Sequence, residues 1–158
     1  MEIWLKNLPM PPTANRQLIR GRGRLIKSNA ARMFDGQVNF YALRHGKLLD
    51  ELKEKMKIMM ATGNLLQVEL YYVFPYEKLY TKKNTVKQLD STNRQKSAED
   101  AVSKLIGIDD SNFIRVTSER VIQCKLLGAN EVIHARITPF KSIRTWTEIQ
   151  ASLTSQPN

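Results

Sequence analysis

Residues Lys87 to Phe113 read KQLDSTNRQKSAEDAVSKLIGIDDSNF, and the chain is organised around this stretch because its acids, amides and bases are spaced in a way that suggests chemistry. Thr92 followed by Gln95 has the spacing of a capping box, which predicts an N-cap at or near Thr92, and Gly107 is a natural stop. Apolar residues between them form one helical stripe: Ala98, Ala101, Val102 and Leu105. We therefore predict a helix with one stripe on a core and polar side chains at its start.

The start of this helix carries side chains suited to phosphate chemistry. Asp90 lies just before the first turn, while Asn93 and Lys96 lie on the first turn and the start of the second, so the three can share one small volume. Mg²⁺ binds one or two carboxylates together with water and phosphate oxygens, and a helix N-terminus favours anions. In phosphodiester hydrolysis, such a metal generates hydroxide and Lys96 stabilises the developing charge. Alternatively, Asp90 and Thr92 only cap the helix.

Length and composition predict one basic domain in a reducing compartment. The chain has 158 residues and one cysteine, Cys124, so it is sized for a single core and cannot form an internal disulfide. His45 and His134 are far apart and give no zinc-site spacing. No apolar run approaches the roughly twenty residues that span a bilayer, and the N-terminus lacks an export signal. We expect a cytoplasmic protein with no membrane contact and, since it lacks a Gly-rich phosphate loop, no nucleotide cofactor.

A net charge of +10 favours a polyanionic partner, and two basic segments predict where it binds. Residues Arg16 to Arg32 contain no acid, and residues Lys78 to Lys96 contain only Asp90. The run Arg20 to Arg24 predicts either a tight hairpin with outward arginines or a mobile loop that orders on phosphates. The predicted DNA-binding residues are Asn15, Arg16, Arg20, Arg22, Arg24, Lys27, Lys82, Lys83, Lys87, Asn93 and Arg94.

The first part of the chain predicts an edge strand and a long helical segment. Residues 1 to 8 alternate weakly in polarity and end at prolines, which is typical of an edge strand. Ser28 is a natural N-cap for an apolar stripe that continues from Asn29 to Ala61. One helix of that length is about 50 Å long, so we predict a break near His45-Gly46, with His45 packed on the apolar stripe.

The rest predicts a mixed sheet. Leu66 to Phe74 alternate like a central strand, and Pro75 to Gln88 follow as a polar loop whose tyrosines either pack locally or stack on unpaired bases. Phe113 to Lys125 and Glu131 to Thr138 predict two strands, joined by a hairpin at Leu127 to Asn130. The expected fold class is α/β (α+β), one domain with a mixed β-sheet against helices over residues 1–140, and a partly frayed extension over residues 141–158.

Two motifs resemble a known family, the RusA-type Holliday-junction resolvases of phages and prophages. Leu8 to Arg16 reads LPMPPTANR, where the family has L-P-x-P-P-S/T-x-N-R ahead of a basic turn. Asp90 to Lys96 reads DSTNRQK, where the family has D-x-D-N-x-x-K, and Asp100-Ala101-Val102 and Asp109-Asp110 follow where it has D-A-L and an acidic pair. Order and spacing agree over roughly residues 3 to 138.

The resemblance implies a Mg²⁺- or Mn²⁺-dependent endodeoxyribonuclease that resolves four-way DNA junctions as a homodimer, in a bacterial or phage-infected cell. Asp90, Lys96 and Asp110 match the catalytic positions, and Asp90, Thr92, Asp109 and Asp110 match the metal-binding ones. Thr92 stands where the family has the second Asp of D-x-D, which removes a presumed metal ligand. The alternative is a non-catalytic DNA- or RNA-binding module.

The acidic pair raises a question of geometry. A straight helix separates Asp90 from Asp109 by about 20 Å, too far for both to bind one ion. Either the chain folds back after Gly107, or the pair completes the site of a partner subunit in a two-fold dimer.

Overall fold

The long strand β4, Leu66–Pro75, organises the fold in the computed structural model, which describes residues 2–21, 23–63, 65–87, 92–123 and 131–140. On one side β4 pairs in parallel with β5, Phe113–Gln123, and on the other it pairs antiparallel with β6, Val132–Pro139. Strand β1, Ile3–Pro9, pairs antiparallel with β6 at the edge, so the order is β1-β6-β4-β5. This sheet and its helices confirm the mixed α+β fold.

The predicted hairpin between the last two strands is wrong. Strands β5 and β6 lie on opposite sides of β4 and therefore do not pair with each other. The turn residues that suggested the hairpin, 127–130, lie outside the described residues. Burial decides the arrangement, because β4 is buried along one whole face and takes the centre, whereas Phe113 to Ile122 of β5 contains no buried residue and suits an edge.

Alternation along the strands follows the predicted faces. Even-numbered residues of β4 are buried, while Gln67, Glu69 and Tyr71 lie half-buried on the opposite face. Strand β1 is the predicted edge strand, and an irregularity at Asn7, with a φ of 58°, shifts its register between Leu5 and Leu8. The shift lets Leu8 join the core on the same side as the residues before it.

The predicted break in the long helical segment is confirmed. Helix α1 spans Asn29–Arg44 and helix α2 spans Gly46–Ala61, with His45 between them. The Ser28 side chain caps α1 by accepting a hydrogen bond from the Ala31 N–H at 3.1 Å. His45 is partly buried, with its ring 4.4 Å from the ring of Tyr41. The two helices contribute one buried stripe: Ala31, Phe34, Val38, Tyr41, Leu49, Leu52, Met56 and Met59.

Two short elements complete this part of the fold. Strands β2, Leu18–Gly21, and β3, Arg24–Lys27, pair as the predicted hairpin, which is separate from the four-stranded sheet. The sequence predicts a polar loop after β4, but in the structure Tyr76–Leu79 forms a single helical turn, α3. There the rings of Tyr76 and Tyr80 stack on each other at 4.5 Å, because residues four apart face the same side of a helix.

The predicted C-terminal extension, 141–158, lies outside the described residues, so its structure stays a prediction. In the described part of the chain, no helix is both long and apolar enough to cross a membrane.

Candidate active site

Helix α4, Thr92–Ile106, connects the parallel strands β4 and β5 and packs against α1 and α2. Its predicted stripe is buried: Ala98, Ala101, Val102 and Leu105, joined by Ile106. The helix begins within one residue of the predicted N-cap. Near that start, the guanidinium of Arg94 lies 6.0 Å from the ring of Phe74 at the carboxyl end of β4. In α/β folds this end of a parallel strand is where ligands bind.

A turn at Gly107 reverses the chain after α4. Gly107 has a φ of 70°, and its N–H donates to the Ser103 carbonyl at 2.9 Å, as the Ile108 N–H does at 3.1 Å. The Asp109 carboxylate then accepts a hydrogen bond from the Ser111 N–H at 2.9 Å and caps a short 3₁₀ turn, Asp110–Asn112. The reversal carries the acidic pair back along the helix rather than away from it.

Lys96 joins the helix to this returning segment. Its ammonium donates to the carboxylate of Asp110 and forms an ion pair with Asp100 at 3.1 Å. The hydrogen bond from Lys96 to Asp110, and then the one to Asp100, raise the pKa of Lys96 above its ordinary value, so it stays charged at neutral pH. The cluster is open to solvent, since the Lys96 side chain is 67% exposed and that of Asp110 is 35% exposed. Within one chain, therefore, an acid of the pair meets the predicted catalytic lysine.

The two neighbouring acids have different surroundings. Hydrogen bonds donated to the Asp109 carboxylate by the side chain and by the backbone N–H of Ser111 hold the pKa of Asp109 below its usual range. Asp109 is thus occupied in capping the turn, whereas Asp110 faces Lys96. Of the two, Asp110 is the better placed for chemistry.

The two segments that carry the sequence resemblance meet at the start of α4. The Arg94 guanidinium donates to the carbonyl of Pro11 at 2.8 Å, which ties the first turn of α4 to the proline-rich segment. The 3₁₀ turn Ala14–Arg16 also lies against α4. Segments about eighty residues apart in the chain therefore form one surface, with Asn15 and Arg16 exposed on it.

A family model described as endodeoxyribonuclease RusA matches residues 9–133, which is most of the chain. The chain belongs to the RusA family. This family comprises endonucleases that act on branched DNA and resolve Holliday junctions. No curated protein matches the chain.

Part of the predicted RusA site lies beyond what the structure describes. Asp90 is outside the described residues, and for Thr92 and Asn93 only their place in the first turn of α4 is described. Among the described residues, no three Asp, Glu, His or Cys side chains form a group that could hold a metal ion. The metal-binding roles of Asp90, Thr92, Asp109 and Asp110 therefore stay predictions.

The predicted DNA-binding cations fall into two kinds. Arg16, Arg20 and Arg24 are exposed on the 3₁₀ turn and the hairpin, and Lys82 and Lys83 are exposed after α3. Three others have partners within the protein: Lys27 pairs with Asp35 at 2.7 Å, Lys87 donates to the Glu77 carbonyl at 2.7 Å, and Arg94 is bound to Pro11. Arg22 lies outside the described residues. DNA contact by these residues stays a prediction, which the exposed group favours most.

Asp100 is a residue that sequence reasoning did not assign to the site. It pairs with Lys96 and also lines a groove between α1, α4 and the β2–β3 hairpin. The sequence did contain a signal for this contact: Asp100 follows Lys96 by four residues on the same helix, and residues four apart are neighbours on a helix surface.

Proposed function

We propose that this RusA-family chain resolves four-way DNA junctions by Mg²⁺- or Mn²⁺-dependent hydrolysis of phosphodiester bonds, acting as a homodimer. The observation that carries the proposal is the contact between Lys96 and Asp110, because it joins the two parts of the acidic motif in one solvent-open cluster. Family membership supplies the substrate class, and the net charge of +10 suits it.

The side chains present fit a hard divalent cation. Carboxylate oxygens of Asp110 and Asp100 already surround one positive charge, the ammonium of Lys96, and both side chains are open to solvent. Mg²⁺ and Mn²⁺ prefer such oxygen ligands and keep several waters. Asp90 and Asp110 would hold the ion, which supplies a polarised phosphate and a hydroxide nucleophile. Thr92 would contribute a weaker oxygen than the family's aspartate.

Lys96 would act on the substrate itself. A charged ammonium beside the reacting phosphate stabilises the negative charge that develops on its oxygens. Its two carboxylate partners, Asp100 and Asp110, orient it in the free protein, and from this position its ammonium would be available to a phosphate bound beside Asp110. This explains why a lysine paired with two acids can serve the reaction rather than only the fold.

We further propose that each subunit completes its own site. Because Asp110 and Lys96 already meet within one chain, the acidic pair does not have to come from a partner. The dimer has a different purpose: resolution needs matched cuts in two strands of like polarity, and a two-fold axis places two identical sites for that task.

The test is incubation of the protein with a labelled synthetic four-way junction, with and without Mg²⁺. Wild type should make paired cuts only with the metal, and Asp90→Asn should abolish cleavage while keeping or strengthening junction binding, because it removes a charge that repels phosphates. Asp50→Asn, the same change at an exposed acid on α2, is the matched control and should cleave normally. Unchanged cleavage by Asp90→Asn would remove Asp90 from the site.

Thr92 favours a second candidate function, a junction-binding module without catalysis. Thr92→Asp should keep the fold, since Asp suits a helix start, and in an active enzyme it should lower the Mg²⁺ concentration for half-maximal cleavage. A wild type inert at every Mg²⁺ or Mn²⁺ concentration, but rescued by Thr92→Asp, would establish the binding module instead. A titration unchanged by the substitution would show that position 92 does not face the metal.

A further inference from the structure

The β2–β3 hairpin exposes large apolar side chains beside its cations. Leu18 is 50% exposed, Ile19 is 47% exposed and Leu25 is 65% exposed, on a two-stranded sheet that is separate from the four-stranded one. A hairpin of two strands is at best marginally stable by itself, and exposed leucines add nothing to its solubility. Folding of the protein therefore does not explain why large apolar side chains lie at these exposed positions.

Strand register sorts these side chains onto two faces. Leu18 lies opposite Lys27, and Arg20 lies opposite Leu25, so these four residues share one face, here called the hairpin face. The hairpin face therefore alternates two leucines with two cations. The opposite face carries Ile19 and Ile26, of which Ile26 is partly buried.

One end of the hairpin face, formed by Leu18 and Lys27, borders a groove that leads to the candidate active site. Leu18 and Lys27 line one side of this groove, which has a volume of about 480 Å³, and α1 and α4 line the other. Lys104 adds a further cation on the α4 side. Asp100, the ion-pair partner of Lys96, lies in the same wall. The groove therefore reaches the Lys96 cluster, and its lining carries two cations, Lys27 and Lys104, together with two acids, Asp35 and Asp100.

We propose that the hairpin face binds unstacked nucleotides at the branch point of a DNA junction, with Leu18 and Leu25 against the bases. Arg20 would bind the phosphates, and so would Lys27 once its solvent-exposed ion pair with Asp35 opens. Apolar side chains inserted at a base step are a known means of holding DNA unstacked, and cations beside them neutralise the backbone. A continuous duplex offers no open step, whereas a branch point does. The leucines would therefore select branched DNA, and the cations would bind any DNA. This inference rests on the proposed function.

The experiment compares Leu18→Ser/Leu25→Ser with wild type, without divalent metal so that no strand is cut. Affinity is measured for a four-way junction and for a linear duplex of the same sequence, and 2-aminopurine at the branch point reports unstacking. Wild type should raise the 2-aminopurine fluorescence, and the double variant should not. The ratio of junction affinity to duplex affinity should be about tenfold smaller in the double variant than in wild type. Its affinity for duplex should barely change.

Three further variants make the result specific. Leu43→Ser, at an 83% exposed leucine on α1 outside the groove, should behave as wild type. Arg20→Ala should weaken junction and duplex binding by similar factors and reduce the salt dependence of both. Leu25→Trp, which replaces the leucine with a larger apolar side chain, should keep the preference for junction over duplex and the fluorescence signal, even if the serine variant folds poorly.

Two outcomes would overturn the proposals separately. If wild type prefers and unstacks the junction but the double variant does so equally well, the hairpin face does not read the branch point, and the proposed function stands. If wild type binds junction and duplex alike, junction resolution itself is wrong and the inference fails with it.

Discussion

In the free protein, the ammonium of Lys96 lies between the carboxylates of Asp100 and Asp110. Removing it should cost turnover more than affinity, because one charge among many adds little to DNA binding but is hard to replace at the reacting phosphate. We expect Lys96→Ala to lower kcat about a hundredfold while affinity changes far less. Arg24→Ala, at an exposed hairpin cation, should do the reverse. Single-turnover cleavage and equilibrium binding separate the two effects, and a loss of affinity alone in both variants would end the catalytic role of Lys96.

His134 gives a pH dependence of stability. Its Nδ1 accepts a hydrogen bond from the Asn7 N–H at 3.1 Å, and burial, followed by the charge of Lys6, lowers its pKa below the ordinary 6.5. Because the unfolded chain then binds the proton first, the stability is fully present above pH 6.5 and is lost as the pH falls toward the lower folded pKa.

Urea denaturation at about pH 8 and about pH 5 should therefore show a smaller pH-dependent loss in His134→Gln than in wild type, since glutamine keeps an acceptor but does not titrate. The chain's other histidine is the control: His45→Gln should leave the pH-dependent loss in place. Equal losses in wild type and His134→Gln would contradict the assignment.

At the scale of elements, the reversal after α4 connects the fold to the site. Gly107→Ala should cost about 1 kcal/mol of folding stability, because its φ of 70° disfavours any side chain; the added Cβ itself would meet only Lys53, at an ordinary 3.6 Å. Cleavage should fall further than stability explains, since the turn positions Asp110. Gly63→Ala carries the same backbone strain at the end of α2 and should leave cleavage intact. Equal activity in the two variants would mean that the turn does not position the site.

Helices and strands, and the faces they bury, were predictable from sequence because they depend on residues close together in the chain. The helical spacing of Ala98, Ala101 and Val102 and the N-cap at Ser28 are examples. Strand partners were not. The residues between β5 and β6 look like a hairpin locally, but burial of β4 decides which strands flank it. The contact between Lys96 and Asp110 was also beyond reach, since spacing alone cannot tell a chain that folds back from one that meets a partner subunit.

At the scale of the whole molecule, the question is whether sites are completed within a chain. We expect that mixing Asp90→Asn with Asp110→Asn does not restore cleavage, because a site built within one chain is broken in both parents and in every mixed dimer. Activity recovered on mixing would show that Asp110 serves the partner's site. A mixture of wild type with Asp90→Asn, which retains one intact site in mixed dimers, should cut single strands and is the control that dimers exchange.

Sheet order also governs how the chain acquires its shape during synthesis. Strand β1 leaves the ribosome before the other strands of its sheet, but in the described structure it pairs with β6, the last of them. Even the strand partners of that sheet that are closest in sequence, such as Leu66 and Phe113, are far apart in the chain. Pairings of this kind must close long loops before they gain stability, and they form slowly. During synthesis, strand β1 therefore stays unpaired until residues Val132–Pro139 have left the ribosome. A chaperone would protect the chain from aggregation most effectively in that interval.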